Sequence, residues 1–289
     1  MADGIEEGPD LQTMFAFNVA LLAGTTDQRI FQAFATIKRE EFFGPPPWYR
    51  RTGPDSEVSG NDLAFIYEDD VIAIDRTRNI NNGAPSLHAR CLAALNIEEG
   101  QDILHVGAGT GYYSAILAEL TGPAGHVFAF EIDPVLAGRA KENLSAWPQV
   151  AVQARSGTSG RLPAADIIYV NAGATHPCKA WIDALRPGGR LLFPFQFAAG
   201  FSGILLVKKP ADRATWTSRL IRRDDHWEAR FIIRANFIHC QDLPPSTDRM
   251  REFMTAFEGD SWTTVRRLYF NDKPDKTCWF KGDGWWLGT

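Results

Sequence analysis

The chain has 289 residues, 45% hydrophobic and 22% charged, a composition that suits a globular protein with one large or two small domains. A net charge of -5 argues against nucleic acid as the main partner, and the acidic start MADGIEEGPD lacks the basic segment that opens a signal peptide. Cys91, Cys178, Cys240 and Cys278 form no CxxC pair, so no metal site or disulfide framework is expected, and free thiols fit a reducing, cytoplasmic setting.

The first ten residues read as a frayed end. Leu11 to Ala23 and Gln28 to Ile37 read as helices, and in the second Ile30, Phe34 and Ile37 share one face. The apolar run Met14 to Leu22 is broken by Asn18 and is too short to cross a bilayer, so no membrane association is expected. Three prolines between Gly44 and Tyr49 exclude helix, and the polar stretch Arg51 to Asp62 reads as a loop. Val71 to Ile74 reads as a short strand before the loop Arg76 to Pro85. Pro85 suits the first turn of a helix reaching about Leu95.

From Gln101 strands and helices alternate, which argues for a parallel sheet. Strands are expected at 102–106, 126–131, 150–154, 165–171 and 190–195, with helices near 111–120, 134–145 and 176–186. The run Arg186-Pro187-Gly188-Gly189-Arg190 reads as a helix stop and tight turn. Beyond Pro194 the stretches Gly203 to Lys208, Thr217 to Arg222 and Glu228 to Cys240 resemble antiparallel strands. Asp248 to Phe257 then reads as a helix capped by Thr247, with further strands at Val265 to Phe270 and Thr277 to Leu287. Residues 259–289 hold four of the nine tryptophans, so this tail is expected to cover a sheet edge or to bind a peptide, a partner or a second copy of the chain. Three regions result: 1–100, 101–240 and 241–289.

The densest signal is Asp102 to Asp133, where a strand enters Gly107, Gly109 and Gly111, a helix follows, and the next strand ends on Glu131. Glycines at such a turn let a ligand approach the backbone, and free amides at the helix start can face it. An acid at the neighbouring strand tip can accept hydrogen bonds from a ribose diol. The G-x-G-x-G spacing differs from the dinucleotide G-x-G-x-x-G, and no Walker lysine follows. It is similar to the first motif of class I methyltransferases, which use S-adenosylmethionine.

Three further stretches resemble the protein-L-isoaspartate O-methyltransferase family: RIFQAFATIKREEFFGPP (Arg29 to Pro46), NNGAPSLHARCLAAL (Asn81 to Leu95) and ADIIYVNAGATHPCKAWIDALRPGGRLLFPF (Ala165 to Phe195). The resemblance runs collinearly from about Arg29 to Cys240. It implies a doubly wound, Rossmann-like sheet of seven strands, S-adenosyl-L-methionine as cofactor, and a carboxylate on a peptide or protein as methyl acceptor. It further implies cofactor contacts from His105, Gly107, Ala108, Gly109, Gly111, Tyr112, Glu131, Ile132, Ser156, Gly157 and Asn171. Asn81, Asn82, Gly83 and Pro85 would line the acceptor, with Asn171 and His88 as candidates beside the transfer centre.

The chain departs from the family at three places. His105 stands where an acid is usual, Ser156 where an aspartate is usual, and Gly83 where a serine hydroxyl meets the substrate. Repair of isoaspartate is therefore expected to be weak, and Gly83→Ser to raise it. A cofactor-binding interaction protein without catalysis and a small-molecule methyltransferase are the alternative readings.

Overall fold

The structure is a computed structural model describing residues 10–53, 56–198, 201–211, 226–243 and 249–289. Helices α1 (Leu11–Ala23), α2 (Gln28–Thr36) and α3 (Glu40–Phe43) open it. The hairpin β1 (Trp48–Gly53) and β2 (Ser56–Gly60), the turn α4 (Leu63–Ile66), the short strands β3 (Ala73–Asp75) and β4 (Ile80–Asn81), and helix α5 (Pro85–Leu95) follow. The alternating part comprises β5 (Asp102–Val106), α6 (Tyr112–Thr121), β6 (His126–Glu131), α7 (Pro134–Asn143), β7 (Val150–Ala154), β8 (Ala165–Val170), α8 (Lys179–Ala184) and β9 (Leu185–Ala198). The chain then forms β10 (Phe201–Lys208), β11 (His226–Phe231), α9 (Met250–Phe257), β12 (Arg267–Tyr269), β13 (Cys278–Lys281) and β14 (Trp286–Gly288).

Alternation along the buried strands explains why helices pack on both faces. Ile103, Ile167, Leu192 and Ile204 point into one core layer, with the N-terminal helices and α6. Their neighbours Leu104, Ile168, Leu191 and Leu205 point into the other, with Trp181 of α8 and Phe253 and Phe257 of α9. The expected doubly wound sheet is formed by β5 to β11, and the tail adds three strands to it. The order is β13-β14-β12-β11-β10-β9-β8-β5-β6-β7, parallel from β7 to β9 and antiparallel from there outwards. Arg186 latches the lower ends of β5 and β8, meeting Asp102 and Asp166 each at 2.6 Å.

Buried Arg39 anchors the N-terminal layer. It donates to the carbonyls of Ile66 and Glu68, and its guanidinium lies 4.9 Å from the centre of the Phe15 ring.

Four expectations change. Arg51 to Asp62 is not a loop, because β1 and β2 pair antiparallel from Trp48↔Gly60 to Gly53↔Ser56. Only Trp48 of this hairpin reaches a core layer and β2 is largely exposed, so it carries no apolar alternation to read. The third helix of the alternating part begins at Lys179 rather than 176, because Gly173 and Ala174 bridge to His239 and Phe195. The tight turn at 186–189 is an insertion within β9, where the register jumps from Leu185 to Arg190. The strand expected at Glu228 to Cys240 ends at Phe231. Thr217 to Arg222, Thr247 and the first nine residues lie outside the described residues. Among the described residues no helix is long and apolar enough to cross a membrane.

The tail packs on the sheet through aromatic rings. Phe280 sits 5.9 Å from Phe195, 5.5 Å from Phe197 and 5.3 Å from Phe253, edge-on in each case. Trp285 and Trp286 are buried, while Trp262 and Trp279 are partly buried. Phe280→Ala should therefore cost about 3–5 kcal/mol. Urea unfolding checks this, and a midpoint equal to that of the parent would mean that the tail does not support the core.

Candidate functional site

The site grows from the end of β5. The chain turns at Gly107, Gly109 and Gly111, with φ of +78°, +57° and +98°, values a side chain would strain. The N–H groups of Gly107 and Ala108 donate to the Phe130 carbonyl at 2.9 and 3.1 Å. The N–H of Gly109 donates to Glu131 Oε2 at 2.7 Å, and that of Asp133 to Glu131 Oε1 at 3.0 Å. The amides of Gly107, Ala108 and Gly109 are thus spent in closing the turn on β6. Burial raises the Glu131 pKa above the ordinary carboxylate range, opposed by these backbone donors.

A cleft of ≈ 780 Å³, measured to its open mouth, lies over the upper ends of β5, β6 and β8. Gly107, Gly109, Glu131, Ile132 and Asn171 line it. Asn81, Ser156 and Gly157 complete the expected residues that reach it. Gly157 is pressed against the sheet, since an added Cβ would lie 2.8 Å from Val106 Cγ2. Ser156 Oγ is held within its own turn, 2.9 Å from Thr158 Oγ1 and 3.1 Å from the Thr158 N–H.

Other expected contacts lie elsewhere. His105 is fully buried behind Asn171, with Nε2 2.8 Å from Asn171 Nδ2 and Nδ1 2.8 Å from Ser114 Oγ. It reaches the cleft only through that amide. Ala108 is tied back to Phe130, and Gly111 packs beside Leu144. Tyr112 is buried in the opposite layer, edge-on to Phe42 at 5.4 Å. Pro85 forms the first turn of α5, and Asn82 donates its N–H to the Ile72 carbonyl at 3.0 Å.

The loop expected to line the acceptor has its own constraint. Asn81 Oδ1 accepts the Gly83 N–H at 3.0 Å, and Gly83 takes φ +68°. An added Cβ at Gly83 would stand 2.4 Å from His88 Nε2. His88 is itself fixed, since Nδ1 lies 2.6 Å from the Tyr169 hydroxyl and the ring stacks on Tyr113 at 3.6 Å. Arg78 ties this loop to the cleft by pairing with Asp75 at 2.7 Å and with Asp133.

Sequence reasoning missed Thr158, His239 and Asp242, all of which line the cleft. Asp242 Oδ2 accepts from Thr158 Oγ1 at 3.3 Å across 84 positions of sequence, so no local pattern could reveal it. His239 is placed by Gln196, whose amide is oriented by the backbone of Phe237 (N–H to Oε1 2.8 Å, Nε2 to carbonyl 2.8 Å). Gln196 Nε2 therefore donates to His239 Nε2 at 3.1 Å, which leaves the proton on Nδ1. Among the described residues no group of three His, Cys, Asp or Glu could hold a metal ion.

The doubly wound sheet, the glycine turn after β5 and the acid ending β6 define a class I S-adenosylmethionine-dependent methyltransferase. The profile of the protein-L-isoaspartate(D-aspartate) O-methyltransferase family matches residues 22–222. A protein-L-isoaspartate O-methyltransferase of Ignicoccus hospitalis is 36% identical over 151 residues, half of this chain and 71% of the relative. One of Methanothrix thermoacetophila is 37% identical over 190 residues, 64% of this chain and 81% of the relative. A solved protein-L-isoaspartate O-methyltransferase superposes with a TM-score of 0.65 at 23% identity, covering 83% of this chain and 69% of its own. A Plasmodium falciparum β-aspartate methyltransferase solved with S-adenosyl-L-homocysteine gives 0.61 at 14% identity, covering 82% and 100%. The chain belongs to the protein-L-isoaspartate(D-aspartate) O-methyltransferase family.

The residues fit the cofactor of that class. Asn171 Oδ1 is buried without a partner, Gly109 has nothing nearer to an added Cβ than Ile74 Cδ1 at 3.7 Å, and Glu131 keeps lone pairs beyond its two backbone bonds.

Two predictions follow from the fixed histidines. Gly83→Ser should not raise activity, contrary to the expectation from sequence, because the new Cβ meets His88 and the left-handed backbone costs about 1–3 kcal/mol. Thermal unfolding and turnover of an isoaspartyl peptide check it, and a stable, faster variant would refute the geometry. Burial lowers the pKa of both His88 and His105 from 6.5 to about 3, so the unfolded chain binds protons that the fold refuses. Their stabilising effect is complete above pH 6.5 and is lost as pH falls towards 3, by up to about 1.4 kcal/mol per pH unit for each. Urea unfolding against pH should show this slope, and His105→Gln should reduce it by about half.

Proposed function

We propose that this chain transfers a methyl group from S-adenosylmethionine to the side-chain carboxylate of an isoaspartyl residue in a protein or peptide. The observation that carries the reading is the cleft lined by the glycine turn, Glu131 and Asn171, with the buried His105 held behind Asn171. Bound S-adenosylmethionine would supply an activated methyl group on a sulfonium. A carboxylate acceptor has a pKa of about 4 and is ionised at neutral pH, so the site needs alignment and no base. His88 and His105, at about 3, are too weakly basic to take a proton from an amine or alcohol acceptor.

The residues divide the work by position. Glu131 would accept the ribose hydroxyls, and Ile132 and Gly157 would bound the base in the apolar part of the cleft. Gly107 and Gly109 would let the amino-acid end lie close to the backbone, where Asn171 Oδ1 is free to accept from its ammonium. His105 acts behind Asn171. Because its neutral ring has one N–H, the bond to Ser114 decides which end of the Asn171 amide is left for the cleft. Asn81, Asn82 and Gly83 shape the rim where the acceptor would enter. The names of the relatives support the isoaspartyl acceptor, and the lack of a hydroxyl at Gly83 leaves its orientation to other groups of this rim.

The test combines binding and turnover. Glu131→Ala removes two charged hydrogen bonds, each worth about 1.5–3 kcal/mol, and should weaken S-adenosylhomocysteine binding at least tenfold by calorimetry. Methyl-labelled cofactor should label an isoaspartyl peptide, not its aspartyl counterpart, and mild alkali should release the label as expected for an ester. A base-stable label would overturn carboxyl transfer, and binding without turnover on any peptide would favour the non-catalytic reading.

A further inference from the structure

Helix α1 is apolar on both sides. Phe15, Ala16, Val19 and Ala23 are buried against the protein, which accounts for one face. The other face carries Met14, Phe17 and Leu21 at 57%, 65% and 66% exposure, with Leu11 and Leu22 at 40% and 49%. No charged residue occurs between Leu11 and Ala23. A surface helix of a monomer carries polar residues on its outer side, whereas a helix apolar all round is covered.

The exposed stripe has the spacing of a helix-pairing seam. Leu11, Met14, Asn18 and Leu21 follow at intervals of three, four and three, the a and d positions of a heptad, with Phe17 and Leu22 alongside. Asn18 is exposed in the middle of this stripe, the place where a polar side chain sets register in paired helices. We propose that α1 is the contact surface of a homodimer, in which the stripes of two copies pack about a two-fold axis with their Asn18 amides meeting near it.

Three observations favour a second copy as the occupant. At about 200 Å² for a large side chain, the exposed stripe offers on the order of 500 Å² per chain. A pair then buries about 1,000 Å², the lower limit of specific interfaces, which predicts a weak, concentration-dependent dimer. Without charges the stripe is self-complementary, as an isologous contact requires. A lipid surface is disfavoured because the first basic residue of the chain is Arg29, while Asp3, Glu6, Glu7 and Asp10 precede the helix. The aromatic tail is not an equivalent surface, since Phe270 is its only exposed large apolar side chain among the described residues.

Sedimentation velocity of the full chain over rising concentration tests this. The mass should climb from 32.2 kDa towards twice that value. Phe17→Glu with Leu21→Glu should stay monomeric throughout, with unchanged circular dichroism and cofactor affinity. Asn18→Asp, a small change at an exposed position, should set two carboxylates face to face and weaken association at least tenfold. A parent that remains monomeric, variants that associate like the parent, or a monomer that instead sediments with phosphatidylcholine vesicles would each overturn the proposal.

Discussion

The Glu131 carboxylate joins the two strands on which the site is built. Its oxygens hold the N–H groups of Gly109 and Asp133, so the glycine turn after β5 and the start of α7 close onto one buried group. Asp133 in turn caps α7 through Val135 and Leu136 and pairs with Arg78 of the acceptor loop. The glycine turn and the loop from Arg76 to Pro85 therefore share one electrostatic chain. Burying a carboxylate is costly unless donors surround it, and here the backbone supplies them before any ligand arrives.

The layer buried behind Asn171 is polar yet uncharged at neutral pH. His105, Ser114 and Asn171 form one hydrogen-bonded line, while Tyr169 lies against the His105 ring and reaches His88. In the proposed reading, two neutral imidazoles would add no positive charge near a bound sulfonium and would withhold a base that a carboxylate acceptor does not need. The arrangement suits alignment of an ionised acceptor better than proton abstraction.

The C-terminal extension behaves as part of the core. Its strands continue the sheet past β11, and its rings Phe253 and Phe280 interlock with Phe195 and Phe197 on one face. This closes an edge that would otherwise present unpaired backbone and apolar surface. Among the described residues, the densest run of exposed large apolar side chains lies towards the other end of the chain, on α1.

Local signals determined much of this protein. Alternating strand and helix patterns gave the order of β5 to β9, and the caps Asp10, Asp27 and Asp133 stand where the helices begin. That Gly107, Gly109, Glu131 and Asn171 would line one cleft was legible because their places depend on neighbours in sequence: a strand end, a turn, a helix start. Tertiary structure alone decided the rest. The hairpin at Trp48 to Gly60 was hidden because only Trp48 enters a core layer and β2 is largely exposed, which leaves no apolar alternation. His105 and Tyr112 sit in a motif that touches the cleft, but the helix and strand geometry turns their side chains away from it. Gly83 looked like a lost hydroxyl until the fold placed the His88 ring where its Cβ would be. Asp242 and His239 arrive from the far side of β10 and β11, and only the folded sheet brings such distant residues beside Thr158 and Asn171, because packing, unlike helix or strand period, leaves no local mark on the chain.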